Sequence, residues 1–143
     1  MSLDRGVSRR AALRAILVGT LTAAWTRGAG AALWDSPALG EGLADRAAAC
    51  VSMDRLLAQL GVCYLRNADA EASIPLLLSR IGERWPDGTK ALERLSFKSL
   101  RYALAAIVRR DLERTDVVLV DGWVLARSEA RLYAIAHLVR DQR

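Results

Sequence analysis

Met53, Leu56, Leu57, Leu60 and Tyr64 fall at positions i, i+3, i+4, i+7 and i+11, a spacing that gathers them on one face of a helix. Asp54, Arg55 and Gln59 lie off that face, so the apolar side should be core. The helical pattern begins at Gly42 and is punctuated at Asn67-Ala68-Asp69, residues that favour turns. A second stripe, Ile74, Leu77, Leu78, Ile81 and Trp85, predicts a helix over about 70–85. Ser73 can cap its start, and Pro75 is tolerated in a first turn whose N–H groups have no intrahelical partner. Trp85-Pro86-Asp87-Gly88 ends it, because proline disfavours helix at the preceding residue and Asp-Gly supplies turn geometry. The third and longest run, about 89–114, carries Leu92, Leu95, Leu100, Ala103, Leu104, Ile107 and Val108, with an interruption expected near Ser96-Phe97. Its charged exit, Arg109, Arg110, Glu113 and Arg114, reads as a solvated face.

The period then breaks. Val117-Val118-Leu119-Val120 is a largely β-branched run, and Asp121-Gly122-Trp123-Val124-Leu125 follows it, which predicts a two-stranded ribbon turning at Asp121-Gly122. A lone hairpin is only marginally stable in water, so this one must pack on the helices or pair with something else. Ser128 then offers an N-cap, Glu129 sits where the helix dipole favours negative charge, and Leu132, Ile135, Ala136 and Val139 carry a fourth helix onward. The predicted fold class is all-α: a small bundle of about four helices with one short β-hairpin, preceded by a signal peptide.

That signal is read from Ser8-Arg9-Arg10-Ala11-Ala12-Leu13-Arg14, the apolar stretch Ala15 to Trp25, and the small-residue Ala29-Gly30-Ala31. These resemble a basic n-region, an h-region and a cleavage site. The heptad is similar to the twin-arginine export signal at Ser8, Arg9, Arg10, Leu13 and Arg14, with Ala12 in place of the usual aromatic residue. Gly19, Thr20 and Thr22 weaken the apolar run and Arg27 follows it, as in twin-arginine leaders rather than general secretory ones. An amphipathic first helix or an ordinary secretory peptide is the alternative. A twin-arginine signal is an address read by a receptor, not an anchor. The expected organisation is a signal peptide over 1–31 with cleavage read at Ala29 and Ala31, a linker over 32–41 rich in turn formers, and a helical domain over 42–143. The expected location is the periplasm. No run of 18 or more apolar residues follows the signal, so no mature transmembrane helix is predicted, and any membrane attachment comes through a partner.

The formal net charge of +5 looks like a nucleic-acid footprint until it is divided. Arg5, Arg9, Arg10, Arg14 and Arg27 against Asp4 place +4 in the first 31 residues, leaving +1 for the remainder. Without a polybasic run or stacking aromatics there, no nucleic-acid partner is expected. Cys50 and Cys63 are the two cysteines. On one uninterrupted helix they would stand about 20 Å apart, whereas a disulfide needs Cα atoms within about 7 Å. A bridge between them therefore requires a break, and the alternative is two small buried apolar side chains. Zinc is disfavoured because His137 is the lone histidine and no paired cysteine spacing exists.

Catalysis fares no better. His137 lies between Ala136 and Leu138 with no serine or cysteine motif nearby, the glycines form no phosphate-cradling loop, and Asp121 is accounted for by the turn it starts. No catalytic, cofactor-binding or metal-binding residue is assigned, no cofactor is expected, and the chain is read as not an enzyme. What stands out is apolar surface: 52% of residues are hydrophobic and four are tryptophan, one of them in the signal. Trp123 is the residue placed most readily at an interface, tryptophan being prominent among binding hot spots. Val118, Val120 and Leu125 accompany it on the extended segment; core packing is the competing role.

The order of features resembles the small accessory subunit of bacterial periplasmic FAD-dependent sugar and alcohol dehydrogenase complexes, whose large flavoprotein subunit carries no signal of its own. The resemblance rests on the twin-arginine leader, on Leu57-Ala58-Gln59-Leu60-Gly61-Val62-Cys63-Tyr64-Leu65, and on the valine-rich run before Ser128-Glu129-Ala130. Val120-Asp121-Gly122-Trp123-Val124-Leu125 is also similar to segments of small twin-arginine-exported proteins. The resemblance implies a chain that escorts a larger redox subunit, which can be FAD-dependent, to the twin-arginine translocase. Two other classes stay open: a free-standing periplasmic helical protein that binds a small apolar ligand or serves the envelope structurally, and an enzyme using Asp121 or His137.

Overall fold

The computed structural model describes residues 42–51 and 55–143. Among them are six α-helices and one hairpin: α1 (Leu43–Ala49), α2 (Arg55–Asn67), a 3-10 turn (Asp69–Glu71), α3 (Ile74–Gly82), α4 (Gly88–Arg94), α5 (Phe97–Glu113), β1 (Val117–Val120), β2 (Trp123–Ala126) and α6 (Arg127–Asp141). The chain is thus mostly helical with a two-stranded antiparallel sheet. Six helices replace the four expected because the first and third runs are each divided, the third by capping chemistry. Ser96 is extended, its Oγ accepts from the Ser99 N–H at 3.2 Å, and α4 and α5 part there. The proposed leader and its cleavage residues, Ser8, Arg9, Arg10, Leu13, Arg14, Ala29 and Ala31, lie outside the described residues, as does Met53.

α6 is the hub. Every residue from Ser128 to Ala136 is buried, and α1, α2, α3, α5 and both strands pack on it. The expected stripe of Leu132 and Ile135 is there, but the opposite face is covered too. Ala130, Ala134 and Ala136 let neighbours approach closely, and the approach is tightest at Gly61 of α2, where an added Cβ would meet the Tyr133 carbonyl carbon at 2.8 Å. On α2 the apolar stripe is narrower than its spacing suggests. Leu60 and Tyr64 are buried, whereas Leu56 is 43% exposed, since α2 starts only at Arg55 and Leu56 occupies its open first turn.

Two helix starts depart from expectation. Ser73 occupies the N-cap of α3 without a side-chain capping bond. Ser128 is not the N-cap of α6; that position is Ala126. The Glu129 carboxylate accepts from the Ala126 N–H at 3.3 Å, and the Ser128 N–H donates to Asp111 Oδ2 at 2.9 Å. A carboxylate from α5 therefore satisfies a helix-start donor that a local serine was expected to cap.

Cys50 and Cys63 are free thiols, so the disulfide considered for them is not formed. The required break exists between α1 and α2, yet Cys50 sits in the core and burial pushes its thiol up to about 12. Since the thiolate is the reactive form, a maleimide at neutral pH is expected to label half-buried Cys63 in the folded protein and Cys50 only after denaturation. Intact mass should show one adduct before unfolding and two after.

Candidate functional site

The surface question centres on the hairpin. Asp121 (φ 47°) and Gly122 (φ 80°) form its two-residue turn, the left-handed pair that matches the twist of flanking strands and that Asp-Gly supplies readily. Pairing runs Val117 to Ala126, Val118 to Leu125, Leu119 to Val124 and Val120 to Trp123. Paired residues share a face, so Val118, Val120, Trp123 and Leu125 lie together on one side and Leu119 and Val124 on the other.

The first group is the one predicted to meet a partner, and it is the core side. Val120 is 1% and Leu125 7% exposed, and Val118 packs against the core cluster. Val120 and Leu125 hold the hairpin to its own domain and cannot face a partner while it is folded. Val118 is partly buried, Trp123 is 39% exposed, and Leu119, which the sequence pattern did not single out, is 66% exposed. Strand parity narrows the choice without making it. The two-residue turn fixes the register, so once Val120 and Leu125 are buried the other face must present Leu119.

The hairpin is fastened at its root by charge. Asp116 accepts from Arg127 Nε at 2.8 Å and pairs with Arg84, which also lies 3.5 Å from buried Asp111. Burial works to raise Asp116, but the hydrogen bond and charge of Arg127, then of Arg84, hold its carboxyl below the usual range. Beside this clasp the Arg110 guanidinium lies 5.8 Å from the centre of the Trp85 ring, within cation–π range. Ser128 Oγ, fully buried, has no hydrogen-bond partner among the described residues.

A second polar cluster pins α6 one turn further along. Arg131, 5% exposed, donates through Nε and Nη2 to the two Glu71 oxygens at 2.9 and 2.7 Å, and the Tyr64 hydroxyl donates to Glu71 Oε2 at 2.6 Å. The Arg131 hydrogen bonds lower the Glu71 carboxyl to about 2, and burial together with the Glu71 bond pushes the Tyr64 hydroxyl up to about 12. Glu129 accepts from the Tyr133 hydroxyl at 2.6 Å, and burial raises its carboxyl. These are satisfied structural networks.

The sequence-level candidates for chemistry do not converge. Asp121 is exposed at the hairpin tip, while His137 is half-buried near the far end of α6. His137 borders an open groove of about 440 Å³ between α2 and α6, with Ala58, Gln59, Val62, Arg140 and Asp141. Among the described residues no cluster of ligating side chains could hold a metal ion, and no helix is long and apolar enough to cross a membrane.

Fold and surface define a small helical domain built around an enclosed helix, with a charge-fastened hairpin that turns one apolar face outward. No protein-family model, curated protein or solved structure matches the chain.

Proposed function

We propose that this chain is a non-catalytic accessory subunit that binds a larger, signal-less redox enzyme and supports its folding and twin-arginine export to the periplasm. The observation that carries the reading is the exposed apolar side chains of the hairpin, Leu119 on one face at 66% and Trp123 on the other at 39% exposed. An exposed apolar surface on a rigidly held element is what a docking site offers. The Arg9-Arg10 doublet supplies the address, and the resemblance to dehydrogenase accessory subunits suggests a flavin-dependent partner.

The test follows the partner's location in cells that produce this chain beside its neighbouring redox subunit. Changing Arg9 and Arg10 together to Lys is expected to leave both proteins in the cytoplasm. Leu119→Asp with Trp123→Asp is expected to export this chain alone. Normal periplasmic delivery of the enzyme in both variants would overturn the proposal.

The groove beside His137 favours a second reading, a free-standing periplasmic protein that binds a small apolar ligand. Its volume of about 440 Å³ falls within the usual range of roughly 300–1,000 Å³ for ligand sites. Binding of an apolar fluorophore that is lost when Val62→Trp fills the groove, together with normal enzyme export in its absence, would prefer that reading.

A further inference from the structure

The hairpin has a free edge as well as a free face. The Arg127 N–H donates to the Asp116 carbonyl at 3.0 Å, which extends the ladder one pair past the strands. Because antiparallel pairs alternate between bonded and non-bonded, Asp116/Arg127, Val118/Leu125 and Val120/Trp123 are the bonded pairs. The main-chain groups of Val117 and Leu119 therefore point away from β2, and neither residue's N–H or C=O has a hydrogen-bond partner among the described residues. The β2 edge is different: the Glu129 carboxylate already accepts from the Ala126 N–H.

Natural sheets blunt such edges with lysine, proline, bulges or a covering element. β1 has none of the first three in Val-Val-Leu-Val, and Leu119 is 66% exposed. Charge selects what fits. Arg114 and Thr115 stand just before β1 and Asp121 just after it; Arg114 and Asp121 are exposed, and neither has an ion-pair partner among the described residues. An antiparallel neighbour matching this edge needs an anion opposite Arg114, a cation near Asp121, and two outward residues between them at the spacing of Val117 and Leu119. β1 itself meets all of these conditions.

The geometry points to a second copy of this chain as the occupant. Two β1 strands align antiparallel about a two-fold axis through Val118, so that Val117 of one exchanges main-chain hydrogen bonds with Leu119 of the other. The hairpins join into a four-stranded sheet, each Asp121 comes within reach of the other copy's Arg114, and the two Leu119 side chains extend one apolar surface. Such a contact is isologous, the commonest form of symmetric pairing. It does not depend on export or on the escort role.

The full-length chain is expected to sediment as a concentration-dependent dimer between about 10 and 500 µM, the range a contact of this small extent supports. Amide exchange at Leu119 should slow at least tenfold from the dilute to the concentrated sample. Leu119→Pro removes the outward N–H without touching a ladder bond, a position where an edge strand accepts proline, and is expected to abolish the dimer while leaving the far-ultraviolet circular dichroism unchanged. Asp121→Asn keeps the turn residue's tolerance of positive φ and should weaken dimerisation severalfold at low salt. A monomer at every concentration overturns the proposal, as does a dimer that persists in folded Leu119→Pro. A monomer with a protected Leu119 amide would give the edge to residues 1–41 instead and likewise overturn it.

Discussion

Replacing Glu71 with alanine is expected to cost about 3–5 kcal/mol of stability, because it leaves the Arg131 guanidinium buried without its counter-charge. The same change removes the acceptor of the Tyr64 hydroxyl. A domain's whole stability is about 5–15 kcal/mol, so the variant should be partly unfolded at 37 °C or close to it. Urea titration read by circular dichroism checks this, with the midpoint falling and the slope unchanged. The cost belongs to the orphaned partners, not to any large net worth of the pair. A triple variant, Glu71→Leu with Arg131→Met and Tyr64→Phe, leaves no buried polar atom behind and should recover to within about 1–2 kcal/mol of the parent. If the triple variant were as unstable as the single one, the network would be contributing through packing instead.

Acid provides an independent reading of the same group. Glu71 titrates near 2 in the folded protein, against 4.5 as its ordinary value. Its folded pKa is depressed, so its stabilisation is fully present above about pH 4.5 and is lost as pH falls toward 2. Glu129 acts with the opposite sign: burial raises its carboxyl, so protonation on acidification relieves a desolvation penalty. Glu71→Gln should flatten the loss of stability below pH 4.5 relative to the parent.

Gly61→Ala is expected to destabilise the protein although alanine is the better helix former. Propensity alone would gain about 1 kcal/mol. Against that, the added methyl meets main chain and not a movable side chain: the Tyr133 carbonyl carbon at 2.8 Å and the Ala134 nitrogen at 3.2 Å. Overpacking of this kind costs about 1–3 kcal/mol or more, because α2 and α6 can separate only by loosening Leu60 and Tyr64 from the core. A thermal midpoint lowered by several degrees checks the sign, and a raised midpoint would mean the helices slide apart freely.

The helices, their apolar faces and the Asp121-Gly122 hairpin were legible because each depends on short-range periodicity and turn chemistry. The break at Ser96 was readable for the same reason. The enclosure of α6 was not. Its spacing announces one apolar side, while Ser128, Glu129 and Arg131 look like solvated positions, and the carboxylate that makes the burial of Arg131 tolerable comes from elsewhere in the chain. Glu71 lies 60 residues from Arg131, a separation at which local sequence carries no signal. The surface was half legible. Trp123 was found by its chemistry, but Val120 and Leu125 were placed outward because a hairpin's parity gives two faces without saying which one the helices cover.

α6 follows, along the chain, every element that leans on it. Each of those elements leaves the ribosome lacking the surface it will finally bury against, and the keystone arrives after the arch. This domain can therefore close only once α6 has been made, and anything recognising its earlier segments before then meets them not yet gathered around their centre.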